Sequence, residues 1–390
     1  MIVFGIIVGA IVCLNIIGFA VNKIFFSHEL ETITPYGQMV EVNSRKMHVY
    51  AMGSGKKTVV LLPGFGVSLP SADFGPLMRA LAKDYTVVCV EYFGVGFSEQ
   101  TNTPRTNESF TEEIRAALKI AGFAAPYILM PHSASGVYCE YYAAKYPDEI
   151  SAILMLDTTS TAKVEAKNPP RFVYGIAKLQ QACGLTKLSY ALMPPSQKTE
   201  NGYTQKEIKD YKAFASHVLN DTMIDQSLRM LDNINELTNF PFPQDIPITK
   251  LISAQTKKKV GDEYQAKHLK RLGGKAETSI VNSTHFVYQT HITQICDAVR
   301  AMVEKVSNHV EGGEDGMNKK KLAAPIIITA LIVLYYIGFA CACLFWDAVP
   351  LIAKILGGII PMLFAGVSIY VLKERINEIR SGEENDLGQY

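Results

Sequence analysis

The chain has 390 residues, 48% of them apolar and 19% charged, with 38 basic against 37 acidic side chains and a net charge of +1. That balance offers no basic face, so no nucleic acid is expected as a partner. Its seven cysteines include no CxxC pair and no His/Cys cluster at zinc spacing, and they read as reduced, buried thiols with no metal to hold.

Residues 2–26 are apolar except for Asn15, Asn22 and Lys23. The run is long enough to cross a bilayer and lacks the basic start and cleavage site of a secretory signal, so it predicts an uncleaved anchor over 1–26. From 27 to 306 strands alternate with helices. Residues 39–43 and 46–52 predict an opening hairpin. Strands follow at 58–62, 86–91, 127–130 and 151–156, with helices at 74–83, 112–121 and 136–145 between them. Apolar strands interleaved with helices predict a mostly parallel sheet covered on both faces, an α/β fold. The strand rhythm stops at about 158–245, where helices at 172–182, 205–219 and 225–237 predict a lid over the carboxyl ends of the strands. It resumes with strand 248–254, helix 263–272, strand 277–281 and helix 292–306.

Polar, glycine-containing residues at 307–321 predict a flexible linker. Residues 322–372 then predict a hairpin of two further spans, 322–346 and 351–372, before a charged tail at 373–390. Lys319, Lys320 and Lys321 precede this hairpin, and Lys373, Arg375 and Arg380 follow it; Lys23 follows the first span with nothing basic before it. Basic flanks stay on the cytoplasmic side, so the expectation is a cell-membrane protein of three spans with its middle domain in the cytoplasm.

Chemistry concentrates in four places. Residues 127–136, YILMPHSASG, read as strand, tight turn and helix, which would hold Ser133 on a strained bend with its hydroxyl above the sheet. Crowding at such a bend calls for small residues two before and two after the serine, here Pro131 and Ser135. LLPGFG at 61–66 follows an earlier strand, EYFGVGFS at 91–98 follows the next, and Thr284-His285-Phe286 follows the last strand.

In this order the four motifs resemble the α/β-hydrolase family over about 40–306, the lid aside. Pro63 stands for the histidine of the family's H-G loop, Glu91 for the aspartate of its D-x-x-G-x-G-x-S turn, and Pro131 and Ser135 for the glycines of G-x-S-x-G. The resemblance implies an α/β-hydrolase fold with a helical lid, and a nucleophile, Ser133, whose proton His285 takes and returns to the leaving group. The backbone N–H groups of Phe65 and Ala134 would form the oxyanion hole. The family's usual place for the acid falls on Thr256, which carries no charge. Asp157, at the end of the sixth strand, is preferred in its stead, with Asp262 as the alternative if the loop 256–261 folds back. His132 is expected to pack beside the nucleophile.

Gly94-x-Gly96 lacks the third glycine of a nucleotide loop, and no cofactor is expected. The expected reaction is hydrolysis of a carboxylic ester, thioester or amide through an acyl-serine. A tether and apolar lid residues (Phe172, Tyr174, Tyr190, Leu192, Met193) point to a small-molecule or lipid-like substrate. Two alternatives stand beside it. A prolyl-type aminopeptidase would need lid carboxylates such as Glu207, Asp210 and Asp225 to hold an amine. A non-catalytic hydrolase-like sensor or scaffold is suggested by Pro63, Pro131 and the displaced acid.

Overall fold

The runs TVVLL, TVVCV, YILMP and ISAILML carry apolar side chains on both alternating faces, so they fit only where both faces of a sheet are covered. The computed structural model describes residues 13–162, 168–192, 196–274, 276–345 and 361–374. It places these runs at the centre of an eight-stranded sheet in the order β1-β2-β4-β3-β5-β6-β7-β8. The strands are β1 (Gln38–Val42), β2 (Arg45–Met52), β3 (Thr58–Leu62), β4 (Thr86–Val90), β5 (Tyr127–Pro131), β6 (Ile150–Leu156), β7 (Ile248–Ser253) and β8 (Glu277–Val281). The pairs β1–β2 and β2–β4 are antiparallel and every other pair is parallel. Helices Asn107–Ile120 and Ser135–Lys145 share a core with β3, β4 and β5 through Ile114, Phe110 and Tyr138. Phe110 stacks on Tyr138 with ring centroids 3.7 Å apart.

Several helix boundaries differ from expectation, each for a local reason. The expected helix 74–83 is two short ones, Pro70–Asp73 and Gly75–Leu81, each with a proline in its first turn, where the missing N–H costs nothing. Helix Asn107–Ile120 starts five residues early because the Thr106 side chain caps the Ser109 N–H. In the lid, helix Arg171–Ala182 is followed by an unpredicted one, Leu185–Leu192, after Gly184 turns the chain at φ 72°. Helices Gln205–Ala215 and Asp221–Glu236 part at Asn220, whose side chain accepts from the Met223 N–H. Helix Ala254–Arg271 begins nine residues before expectation and breaks at Gly261, φ 78°.

The chain divides into two compact units, Met1–Val303 and Glu304–Tyr390. Residues 307–321, expected as a linker, lie inside the helix Ile292–Phe345. Their Glu, Lys and Met residues are good helix formers, enough to carry Gly312, Gly313 and Gly316. Among the described residues one helical stretch, Pro325–Ala342, is long and apolar enough to cross a membrane. Of the expected first span, residues 13–21 are helical and run into a π-helical turn, Asn22–Phe26, while 2–12 lie outside the described residues. The third expected span is helical from 361 to 372; residues 351–360 and most of the tail lie outside the described residues.

Candidate active site

Parallel strands all point their carboxyl ends one way, so loops leaving β3, β5, β6, β7 and β8 meet along one edge. Ser133 follows β5 with φ 52°, and Asp157 follows β6 with φ 46°. A left-handed backbone at a non-glycine residue costs about 1–3 kcal/mol and persists only where neighbours impose it. Here they do. The Ser133 N–H donates to Leu156 O (3.1 Å) and Thr159 N–H to Ser133 O (3.0 Å), while Asp157 N–H donates to Leu251 O (2.8 Å).

The small-residue demand of the bend falls elsewhere than expected. A Cβ on Gly136 would lie 2.6 Å from Thr158, and one on Gly64 would lie 2.6 Å from His132 Nδ1 and 2.8 Å from Ser133 Cβ. Ser135 is tolerated at its crowded place because its hydroxyl is used: it donates to Pro63 O and lies 2.8 Å from the Tyr92 hydroxyl. That bond ties the helix behind Ser133 to the loop carrying Phe65. Glu91 also ties loops together, accepting from the Ser71 N–H at 2.9 Å and the Phe97 N–H at 2.7 Å. The longer glutamate fits because Gly96 opposite it has no side chain, and a Cβ there would sit 2.0 Å from Oε2.

Three expected residues form one hydrogen-bonded line. Ser133 Oγ lies 2.8 Å from His285 Nε2, and His285 Nδ1 lies 2.7 Å from Asp157 Oδ2. Asp157 is buried and accepts three further hydrogen bonds: from Ser253 N–H (2.9 Å), the Ser253 hydroxyl (2.7 Å) and the Thr256 hydroxyl (2.6 Å). Burial pushes its carboxyl up, but the bonds from His285, Thr256 and Ser253 outweigh that and hold it below the usual aspartate value. Thr256 thus stands at the place expected of the acid and serves as a donor to it. Asp262 is remote from this line: it lies past the Gly261 break, exposed, with Oδ1 3.3 Å from Lys257 Nζ.

The N–H groups of Phe65 and Ala134 have no hydrogen-bond partner among the described residues. Both belong to segments that flank Ser133, so they are free to donate to a developing oxyanion.

One residue beside the site, Asp73, was not singled out from the sequence, and another, His132, was expected only to pack. His132 does more than pack: its Nε2 lies 3.2 Å from His285 O, and the two rings are 4.8 Å apart. Burial, and then the proximity of His285, push its pKa down to about 3, so it is neutral and donates from Nε2 to hold the His285 loop. Asp73 is fully buried and accepts from the Tyr288 hydroxyl (2.5 Å), Gln289 Nε2 (3.0 Å) and Gln197 Nε2 (2.6 Å). Its carbonyl accepts from the Tyr203 hydroxyl at 2.7 Å. One residue therefore links the loop after His285 to two points of the lid.

The three lid carboxylates considered for amine binding are already engaged. Glu207 accepts two bonds from Arg79 (2.6 and 3.0 Å), Asp210 accepts from Tyr36 (2.9 Å) and Lys206, and Asp225 accepts from Arg105 N–H (2.8 Å) and Arg229 (2.9 Å).

Comparison with known proteins fits this geometry. A family model described as alpha/beta hydrolase fold matches residues 57–291. The chain is 29% identical over 252 residues to an uncharacterized protein, YbdG, of Bacillus subtilis, covering 63% of this chain and 78% of that one. It is 28% identical over 127 residues to a 2-(acetamidomethylene)succinate hydrolase of Mesorhizobium japonicum, covering 33% of this chain and 44% of that one. Among solved structures, Cfl2 of Burkholderia cenocepacia superposes with a TM-score of 0.56 at 15% identity, over 69% of this chain and 99% of that one. The epoxide hydrolase VrEH1 of Vigna radiata superposes with a TM-score of 0.55 at 16% identity, over 71% and 99%. Likeness at these identities speaks to the fold.

Proposed function

Because the chain belongs to the α/β-hydrolase fold family, we propose that it is a membrane-anchored serine hydrolase that cleaves a carboxylic ester through an acyl-serine. The observation that carries this reading is the line Ser133–His285–Asp157, closed at 2.8 and 2.7 Å. In the proposed cycle His285 Nε2 takes the Ser133 proton as Oγ attacks the ester carbonyl carbon. The carbonyl oxygen becomes an oxyanion facing the N–H groups of Phe65 and Ala134, and ionised Asp157 stabilises the imidazolium. The tetrahedral intermediate collapses, the carbon–oxygen bond to the alcohol breaks, and the alkoxide leaves with the proton held on His285. Water then repeats the sequence on the acyl-serine and releases the acid.

Three spans, at 2–26, 322–346 and 351–372, complete the proposal, with the catalytic unit on the cytoplasmic side where the basic flanks lie. The apolar stretch Pro325–Ala342 and the exposed Leu14, Ile17 and Phe19 support it. Apolar lid side chains favour a small-molecule or lipid-like acyl substrate.

A fluorophosphonate, which is attacked only by an activated serine, tests the catalytic part. Labelling of the wild type should vanish in Ser133→Ala and fall steeply in His285→Ala. Well-folded wild type that stays unlabelled would sink the assignment and leave a ligand-binding, non-catalytic hydrolase fold.

A further inference from the structure

We propose that the lid helices Arg171–Ala182 and Leu185–Leu192 lie in the plane of the bilayer surface, clamped to the N-terminal apolar helix, so that the lid opens toward lipid. The inference rests on the reading of residues 2–26 as a membrane anchor. Helix Arg171–Ala182 exposes Phe172, Ile176 and Leu179, spaced so that they share one face; helix Leu185–Leu192 does the same with Leu185, Leu188 and Leu192. Phe172, Ile176, Leu179 and Leu192 are more than half exposed, while Leu185 and Leu188 border the N-terminal helix. Scattered single exposures are normal, but two consecutive helices with contiguous apolar faces mark a contact surface.

The N-terminal helix identifies the occupant. The Asn22 side chain donates to the carbonyls of Gln181 (3.4 Å) and Ala182 (3.2 Å), the open end of the first lid helix. Gly18 lets the two backbones touch: a Cβ there would lie 2.4 Å from Cys183 O. Lys187 completes the clamp, pairing with Glu29 and covering the Phe26 ring at 4.0 Å. Between the helices runs an apolar groove of about 490 Å³, lined by Leu14, Val21, Leu185 and Leu188. A helix that enters lipid is therefore docked, side by side, on two helices whose remaining apolar faces are bare.

Charge agrees. The two lid helices carry Arg171, Lys178 and Lys187 and no acidic residue; Lys178 pairs with Asp221 and Lys187 with Glu29, so Arg171 is the cation placed to meet an anionic headgroup.

The chain has one tryptophan, Trp346, so a Trp346→Phe background gives a clean reporter. Ile176→Trp, Leu188→Trp and Phe19→Trp are placed in turn in the full-length protein, with Ile120→Trp as an exposed control outside the patch. Each is reconstituted in vesicles containing phosphatidylglycerol and phosphatidylcholine brominated near the headgroup end of its chains. Tryptophan at 176, 188 and 19 should emit blue-shifted light that the bromines quench, while 120 stays unquenched. Quenching at 19 with none beyond the control level at 176 and 188 overturns the in-plane lid and leaves the anchor standing. No quenching at 19 overturns the anchor and the inference together. A blue shift at 176 and 188 without quenching overturns it in favour of a protein partner.

Discussion

The carboxyl edge of the sheet and the lid hairpin 171–192 solve opposite problems with the same chain. At the edge, polar groups are buried and the charged ones among them are paired or hydrogen-bonded within the fold. Behind Asp157, buried Lys250 donates to His268 Nδ1 (2.6 Å), and His268 Nε2 donates to Glu140 (2.7 Å). The second oxygen of Glu140 accepts from the Thr161 hydroxyl at 2.6 Å and from Arg271 at 3.2 Å. Burial alone would push Glu140 up; His268, Thr161 and Arg271 hold it low, while burial lowers Lys250 to about 8. At the hairpin the reverse holds: large apolar side chains face outward with nothing upon them. The difference teaches where each region's energy resides. The edge is held by interactions within the fold, and the hairpin's apolar surface contributes only when something outside the fold covers it.

The largest break in that comparison comes from Asp157→Asn. The amide favours the wrong histidine tautomer and cannot stabilise an imidazolium, so acylation by an ester or by fluorophosphonate should slow by about 10⁴-fold. Asp262→Asn should leave the rate within twofold of wild type on the order expected for an exposed surface change. Equal losses in the two variants would overturn the roles given to both residues.

Glu140→Gln comes next, and acts on stability. It leaves His268, Arg271 and Lys250 buried against a neutral amide, and removing one partner of a buried charge set costs about 3–5 kcal/mol. Thermal or denaturant unfolding of the detergent-solubilised chain should show that loss. A change below about 1 kcal/mol would mean the network is idle.

Thr256→Val tests a finer point. The valine keeps the volume and removes one of the four donors to Asp157, for an expected loss of about 1 kcal/mol. The pH dependence gives it direction. Asp157 is held below the ordinary aspartate value, so its contribution to stability is complete above about pH 4 and disappears as pH falls through the lowered native value. Without the Thr256 hydroxyl that native value rises toward the unfolded one, so the acid-side fall in Tm starts at the same unfolded value but should be smaller and end at a higher pH than in wild type. Superimposable Tm–pH curves would show that Thr256 does not hold the carboxylate.

Much of the edge was legible because its signals are local. Apolar runs on both strand faces fix the parallel sheet, and the strand–turn–helix around Ser133 and the loop after the last strand mark two of the site residues within short windows. What stayed hidden depends on distance along the chain. His132 meets a carbonyl 153 residues away, and Asp73 meets Tyr288 across 215, so no spacing rule points to either. Thr256 was visible as a position and illegible as a donor, since a threonine at the acid's place looks only like a missing charge. Helix Leu185–Leu192 escaped for a different reason. It is eight residues long and follows a Gly184 turn, and a short apolar run of that kind reads equally well as loop or strand.

The smallest predicted effect bears most directly on the contrast between the regions. Phe172 and Leu192 are 68% and 77% exposed, more than any other large apolar side chain of the lid among the described residues. If the fold itself does not use them, Phe172→Gln and Leu192→Gln should shift the unfolding free energy of the solubilised protein by no more than about 0.5 kcal/mol. The same substitution at a residue buried in the sheet, such as Leu61, buries an amide where no partner exists and should cost several-fold more, on the order of 2–5 kcal/mol. If instead either lid variant lost more than about 1 kcal/mol in detergent, its side chain would have a partner within the protein. The hairpin would then be held as the edge is, from inside.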